Sequence, residues 1–206
     1  MNERKNARQH ILAVAQQIVG KKGFSAVGLN EVLQAAQVPK GSFYHHFASK
    51  DAFGEALLED YFESYLADMR LIFTGNEPES RKLLTYWQRW TDNQSGQTDA
   101  GKCLAVKLGA EVADLSESMR QALDRGTSQI IQCLAGALML GQAQGSLRLE
   151  QEPESLATQL YALWLGASVM AKITRTSLPF DQALAMTRQA LALPNTSDSL
   201  IPRKQQ

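Results

Sequence analysis

The chain has only two cysteines, Cys103 and Cys133, in 206 residues. That is too few for a disulfide scaffold, and their isolation rules out a CxxC zinc or redox motif. Histidine is equally scarce: His10, His45 and His46 are the whole supply, so no metal site and no cofactor is expected. No apolar run is long enough to span a bilayer, and the opening MNERKNARQH is polar and basic with no apolar stretch behind it. Neither a signal peptide nor a membrane anchor is therefore expected, and the cytoplasm is the expected location. A nucleophilic triad and a glycine-rich phosphate loop are also missing, so enzymatic activity is not expected.

What is present is an ordinary globular composition, 44% hydrophobic and 20% charged, patterned almost everywhere at helical rather than alternating spacing. The fold class expected is all-α. Apolar faces and breaker residues place helices at about 7–20, 29–36, 40–47, 50–73, 78–93, 101–113, 116–143, 153–176 and 180–192. The first carries Ile11, Leu12, Ala15, Ile18 and Val19 on one face. Gly28 can cap the second, and Val38-Pro39 ends it, because the residue before proline avoids the α region and proline suits a helix's first turn. Two short helices joined by a tight turn is helix-turn-helix spacing. Ser49 caps the long fourth helix, 50–73. The expected organisation is a three-helix domain over 1–49 and a larger helical domain over 50–206, with helix 50–73 as connector. Residues 93–101 read as a flexible loop and 194–206 as a frayed tail.

The formal charge is zero overall but unevenly spread. Residues 1–50 hold seven Lys and Arg against Glu3 and Glu31, an excess of five positive charges that the remaining residues balance with a deficit of five. All three histidines lie in the basic stretch. Such asymmetry is the footprint of contact with nucleic acid or membrane by one part of a chain.

Residues 23–57, GFSAVGLNEVLQAAQVPKGSFYHHFASKDAFGEAL, resemble the DNA-binding domain of TetR-family transcriptional regulators, most closely through VPKGSFYHHFASKDAF. The resemblance implies that the helix at about 40–46 enters the major groove of double-stranded operator DNA. Gly41 and Ser42 are small enough for close backbone approach to base edges, and Lys40 supplies a cation beside them. By the resemblance, Tyr44 and His45 bond phosphates, as does Lys50 with the backbone N–H groups opening the fourth helix. Phe43 and Phe47 are expected to pack the helices together with Val32, Leu33, Ala36 and Val38. Where the family often has Ser or Thr this chain has Gly28, which leaves only a backbone contact there.

A recognition helix this short reaches few base pairs, so specificity needs two copies on a two-fold site, and a homodimer is implied. LATQLYALWLGASVMAKI is the expected dimer surface, joining Leu156, Leu160, Trp164 and Leu165 to small Gly166, Ala167 and Ser168. Part of that stripe must be intramolecular core. The family resemblance implies a four-helix interface for the rest.

GKCLAVKLGAEVADLS and LYALWLGASVMAKI resemble the NemR-like branch of the family, which implies a repressor that senses electrophiles or oxidants through cysteine. Cys103 is read in the first turn of a helix, where unpaired N–H groups and the dipole favour a thiolate. Lys102 and Lys107 add positive charge, and a thiolate is what electrophiles and oxidants attack. Lys172, a lone cation ending an apolar run, pairs with Glu111 or Asp114, stabilises the Cys103 thiolate, or extends to solvent. Cys133 reads as packing beside Ile130 and Leu134, and the sequence leaves a Cys103–Cys133 disulfide open. The competing reading keeps the repressor but replaces covalent sensing with a reversible apolar effector in a pocket of Trp87, Trp90, Tyr161 and Trp164, residues equally suited to a core.

Overall fold

The computed structural model describes residues 2–95 and 103–193, and among these every regular element is helical. The elements are α1 (Asn2–Lys22), α2 (Leu29–Ala35), α3 (Lys40–His46), α4 (Lys50–Phe73), α5 (Glu79–Ser95), α6 (Leu104–Ala113), α7 (Glu117–Ala143), α8 (Pro153–Thr174) and α9 (Leu178–Ala190). The expected all-α architecture is observed. Most of the expected loop, Lys102, and the tail from 194 lie outside the described residues. α1 begins earlier than its apolar stripe, because residues 2–6 contain nothing apolar to extend the stripe. None of the described helices is long and apolar enough to cross a membrane.

The chain divides into two compact units, Met1–Asp68 with Asn93–Ile130, and Met69–Asp92 with Ile131–Gln206. In the first, Ile11, Leu12, Ala15 and Val19 of α1 are fully buried, as are Phe43 of α3 and Leu57 of α4. Phe43, Phe47 and Phe53 form an aromatic triangle with ring centroids 5.0 to 5.2 Å apart. Each such ring contributes about 1.5–3 kcal/mol on burial. α6 buries Leu104, Leu108 and Val112, one residue per turn. Close approach of α4 and α7 depends on missing side chains: a Cβ on Gly126 would stand 2.2 Å from the Phe62 ring, and one on Gly54 2.5 Å from Met119 Sδ.

The second unit is built on aromatic stacking. Trp87 of α5 lies on Trp164 of α8 at 4.7 Å and 11° between planes, and Trp164 lies near-parallel to Phe180 of α9. The Trp90 indole N–H donates to Ser168 Oγ and that of Trp164 to Thr187 Oγ1, each at 2.9 Å. Lys82 Nζ donates to Glu79 Oε1 at 2.6 Å and to the Phe73 carbonyl at 3.2 Å, so a buried ion pair pins the last turn of α4.

Candidate nucleic-acid interface

α2 and α3 are joined by a turn in which each backbone N–H of residues 36–38 is bonded. Ala36 N–H donates to Val32 O and Val38 N–H to Leu33 O, while Gln37 takes the left-handed conformation at φ 55. This is a Schellman closure with Gln where glycine is usual. Pro39 then caps α3 in extended geometry. Gly28 caps α2 at φ −77, ψ 143, and Ser49 Oγ accepts the Ala52 N–H at the start of α4.

With Phe43 driven into the core, helical spacing turns 40, 41, 44 and 45 outward together. Lys40, Gly41, Tyr44 and His45 are exposed, and Ser42 is half-buried beside them. Gly28 is exposed at the head of α2. A Cβ at Gly28 or Gly41 would meet nothing within 4 Å, so internal packing does not demand glycine at either position. Phe43 and Phe47 are buried, as the sequence suggested. Lys50 is exposed, yet its Nζ donates to Val27 O at 3.3 Å and sits over the Phe24 ring. An ammonium has three donors, so two N–H groups remain for another acceptor. Arg8 covers the Phe47 ring, and His10 Nε2 lies 3.0 Å from Ala36 O. Both basic residues are thereby engaged in the helical head itself.

Cys103 is the N-cap of α6 rather than part of its first turn, with ψ 115 outside the helical range and no side-chain capping bond. Its carbonyl accepts the Lys107 N–H, and its side chain is 2% exposed. Neither cysteine is in a disulfide. Cys133 is half-buried on α7; burial pushes its thiol above the ordinary 9.0, with Arg70 pulling the other way. Lys107 is half-buried one turn beyond Cys103.

Glu111, one turn further along α6, accepts the backbone N–H groups of Ser25 at 2.6 Å and Phe24 at 3.2 Å through its carboxylate. Partial burial raises its pKa, but the bonds from Ser25 and Phe24 and the charge of Lys107 outweigh that, leaving the carboxyl below its ordinary 4.5. Lys172 is exposed in the last turn of α8, in the second unit.

Trp87, Trp90, Tyr161 and Trp164 come together, all buried, with Trp90 edge-on to Tyr161 at 5.9 Å. They pack on one another as core. The Trp87 indole N–H has no hydrogen-bond partner among the described residues. Much of the expected dimer stripe is also core: Leu156, Leu160, Trp164, Ala167 and Ser168 are buried within the second unit. Exposed apolar side chains on α8 and α9 are instead Val169, Met170, Ile173, Leu178 and Met186. Met170, Leu178 and Met186 line a groove of about 590 Å³ together with small Ala162, Gly166 and Ala183.

Residues 11–57 match the family described as bacterial regulatory proteins, tetR family, and residues 80–187 match the tetracyclin repressor-like C-terminal domain. The HTH-type transcriptional repressor NemR of Escherichia coli (strain K12) is 42% identical over 190 residues, covering 92% of this chain and 96% of that one. The HTH-type transcriptional repressor DhaR of Mycobacterium sp. (strain GP1) is 33% identical over 192 residues, covering 93% and 94%. The crystal structure of the reduced form of E. coli NemR superposes with a TM-score of 0.86, covering 93% of this chain and all of that one.

Proposed function

The chain belongs to the TetR family of bacterial regulators, and from that premise we propose a dimeric repressor that leaves its operator when Cys103 is modified by an electrophile or oxidant. The observation that carries the DNA half is the outward face of α3. Lys40, Gly41, Tyr44 and His45 are exposed beside the buried Phe43, against which the Tyr44 ring sits edge-on at 5.4 Å, and Gly41 is small without any internal reason to be. Lys40 and Ser42 meet base edges; Tyr44, His45, Lys50 and the Gly28 backbone fix register on phosphates. Two copies join through the exposed apolar face of α8 and α9, where small residues admit a close second helix.

The sensing half rests on Cys103 at the positive end of α6, with Lys107 one turn along. Its relative NemR has been crystallised in a form named reduced. An electrophile reacts by forming a C–S bond to an electron-poor alkene carbon as the C=C π bond breaks, and the thiol's proton ends on the neighbouring carbon. Because Cys103 is 2% exposed, the head of α6 must open for a reagent to reach the sulfur. An adduct then keeps it from closing, and this biases the protein toward a second state of lower operator affinity.

Operator binding to the DNA upstream of its own gene, with and without N-ethylmaleimide or hypochlorite, tests this for wild type and Cys103→Ser. Release of the wild type alone establishes the thiol switch. A second reading, a reversible effector carrying one hydrogen-bond acceptor, is favoured by the buried, unpartnered Trp87 N–H. In that case release by the effector survives Cys103→Ser.

A further inference from the structure

Cys103 caps α6, and Lys107 and Glu111 follow it at intervals of four, so Lys107 and Glu111 lie along one face of the helix that Cys103 heads. The far end of that row grips the turn between α1 and α2. Glu111 takes two consecutive backbone N–H groups, from Phe24 and Ser25, just after α1 ends. Gly23, at φ +88, closes α1 with its N–H on Val19 O. A Cβ there would stand 2.8 Å from Glu111 Oε2, so the turn brings bare backbone against the carboxylate. Phe24 is also the ring beneath Lys50 and packs against Gly54 of α4. Four residues after Phe24, Gly28 opens α2.

We propose that Glu111 is the positioning residue for operator binding: through Phe24 and Ser25 it fixes the α1–α2 turn, and with it the pose of α2 and α3. The inference rests on the repressor reading above. It makes α6 the link between Cys103, at its head, and the turn before the DNA-reading helices, which Glu111 holds near its far end. Glu111 does not face DNA; it acts through the backbone it holds.

The sign of the effect separates this from simple electrostatics. Removing a carboxylate from a DNA-binding protein raises affinity for a polyanion if charge alone matters. Loss of the grip lowers it. Wild type, Glu111→Gln and Glu111→Ala are compared by operator titration, by amide hydrogen exchange at Phe24 and Ser25, and by thermal melting. The expected result is graded: operator affinity falls about tenfold for Ala, the weight of roughly one hydrogen bond to a charged group, and less for Gln, which keeps one carbonyl acceptor. Exchange at the two amides quickens in the same order. The slope of affinity against salt stays at the wild-type value, because no phosphate contact is lost. Affinity equal to or above wild type with faster exchange overturns the proposal, as does unchanged exchange in Glu111→Ala. If Glu111→Ala melts too low to assay, Glu111→Gln decides on the same criteria. Wild-type protein that binds no upstream DNA removes the repressor reading and the inference together, whereas failure of the variants alone removes only the inference.

Discussion

At the scale of single residues, the outward face of α3 proposed to read DNA includes a glycine that internal packing does not require. Gly41 sits in a helix that any residue would suit, and alanine is the better helix former by roughly 0.5–1 kcal/mol. Since a Cβ there meets nothing within 4 Å, Gly41→Ala is expected to leave melting unchanged or raised by a degree or two. On the proposed DNA-facing role of α3 the added methyl stands between the helix and the base edges, so operator affinity is expected to fall. A melting curve beside a fluorescence-anisotropy titration checks both directions at once. Equal affinity of the two proteins would show that base edges do not come close to this position. The outward placement of these residues is legible in the sequence, because VPKGSFYHHF carries its turn and its buried aromatics locally. The sequence could not mark Glu111. The groups it binds are 86 and 87 residues away in the chain, and no periodicity records a carboxylate meeting backbone N–H groups.

At the scale of elements, helix positions followed the sequence closely because apolar spacing and caps such as Ser49 and Gly28 are local signals. Which stripe of a helix turns inward is not local. α8 is apolar around much of its circumference, so spacing alone cannot say that Leu160 and Trp164 are core while Gly166 and Met170 are open. That choice is made by the aromatic stack of α5, α8 and α9, whose partners lie far apart in the chain. The start of α6 was misplaced for a similar reason, since glycine and loop residues upstream give no sharp boundary and Cys103 proved to be the cap. The α4–α7 crossing offers a test at this scale. Gly126 faces the Phe62 ring at a distance no Cβ can share, so Gly126→Ala must push the helices apart or turn the ring. The expected cost is about 1–3 kcal/mol, against the usual gain from replacing a helical glycine. Chemical denaturation measures it, and Gly136→Ala on the same helix, where a Cβ meets nothing, is the control expected to hold or gain stability.

At the scale of the whole molecule, the proposed pairing through the exposed apolar face of α8 and α9 gives operator binding two reading heads. Met170 is 48% exposed and lines the groove. Met170→Asp therefore costs the folded monomer little, but in a two-fold interface it buries two unpaired charges at once. Sedimentation is expected to show a monomer with wild-type helicity, and operator affinity is expected to drop more than a hundredfold as the second reading head is lost. A variant that remains dimeric would move the interface elsewhere. The division of the chain has a further consequence. The unit that contains α2 and α3 is assembled from two separate stretches, the second supplying α6 and Glu111. Recombination between relatives at the end of the reading motif thus parts a bond as well as a polypeptide. On the Glu111 proposal, a chimaera made there takes its specificity from one parent and its posture from the other, and is expected to work only where the recipient offers a carboxylate to the donor's turn.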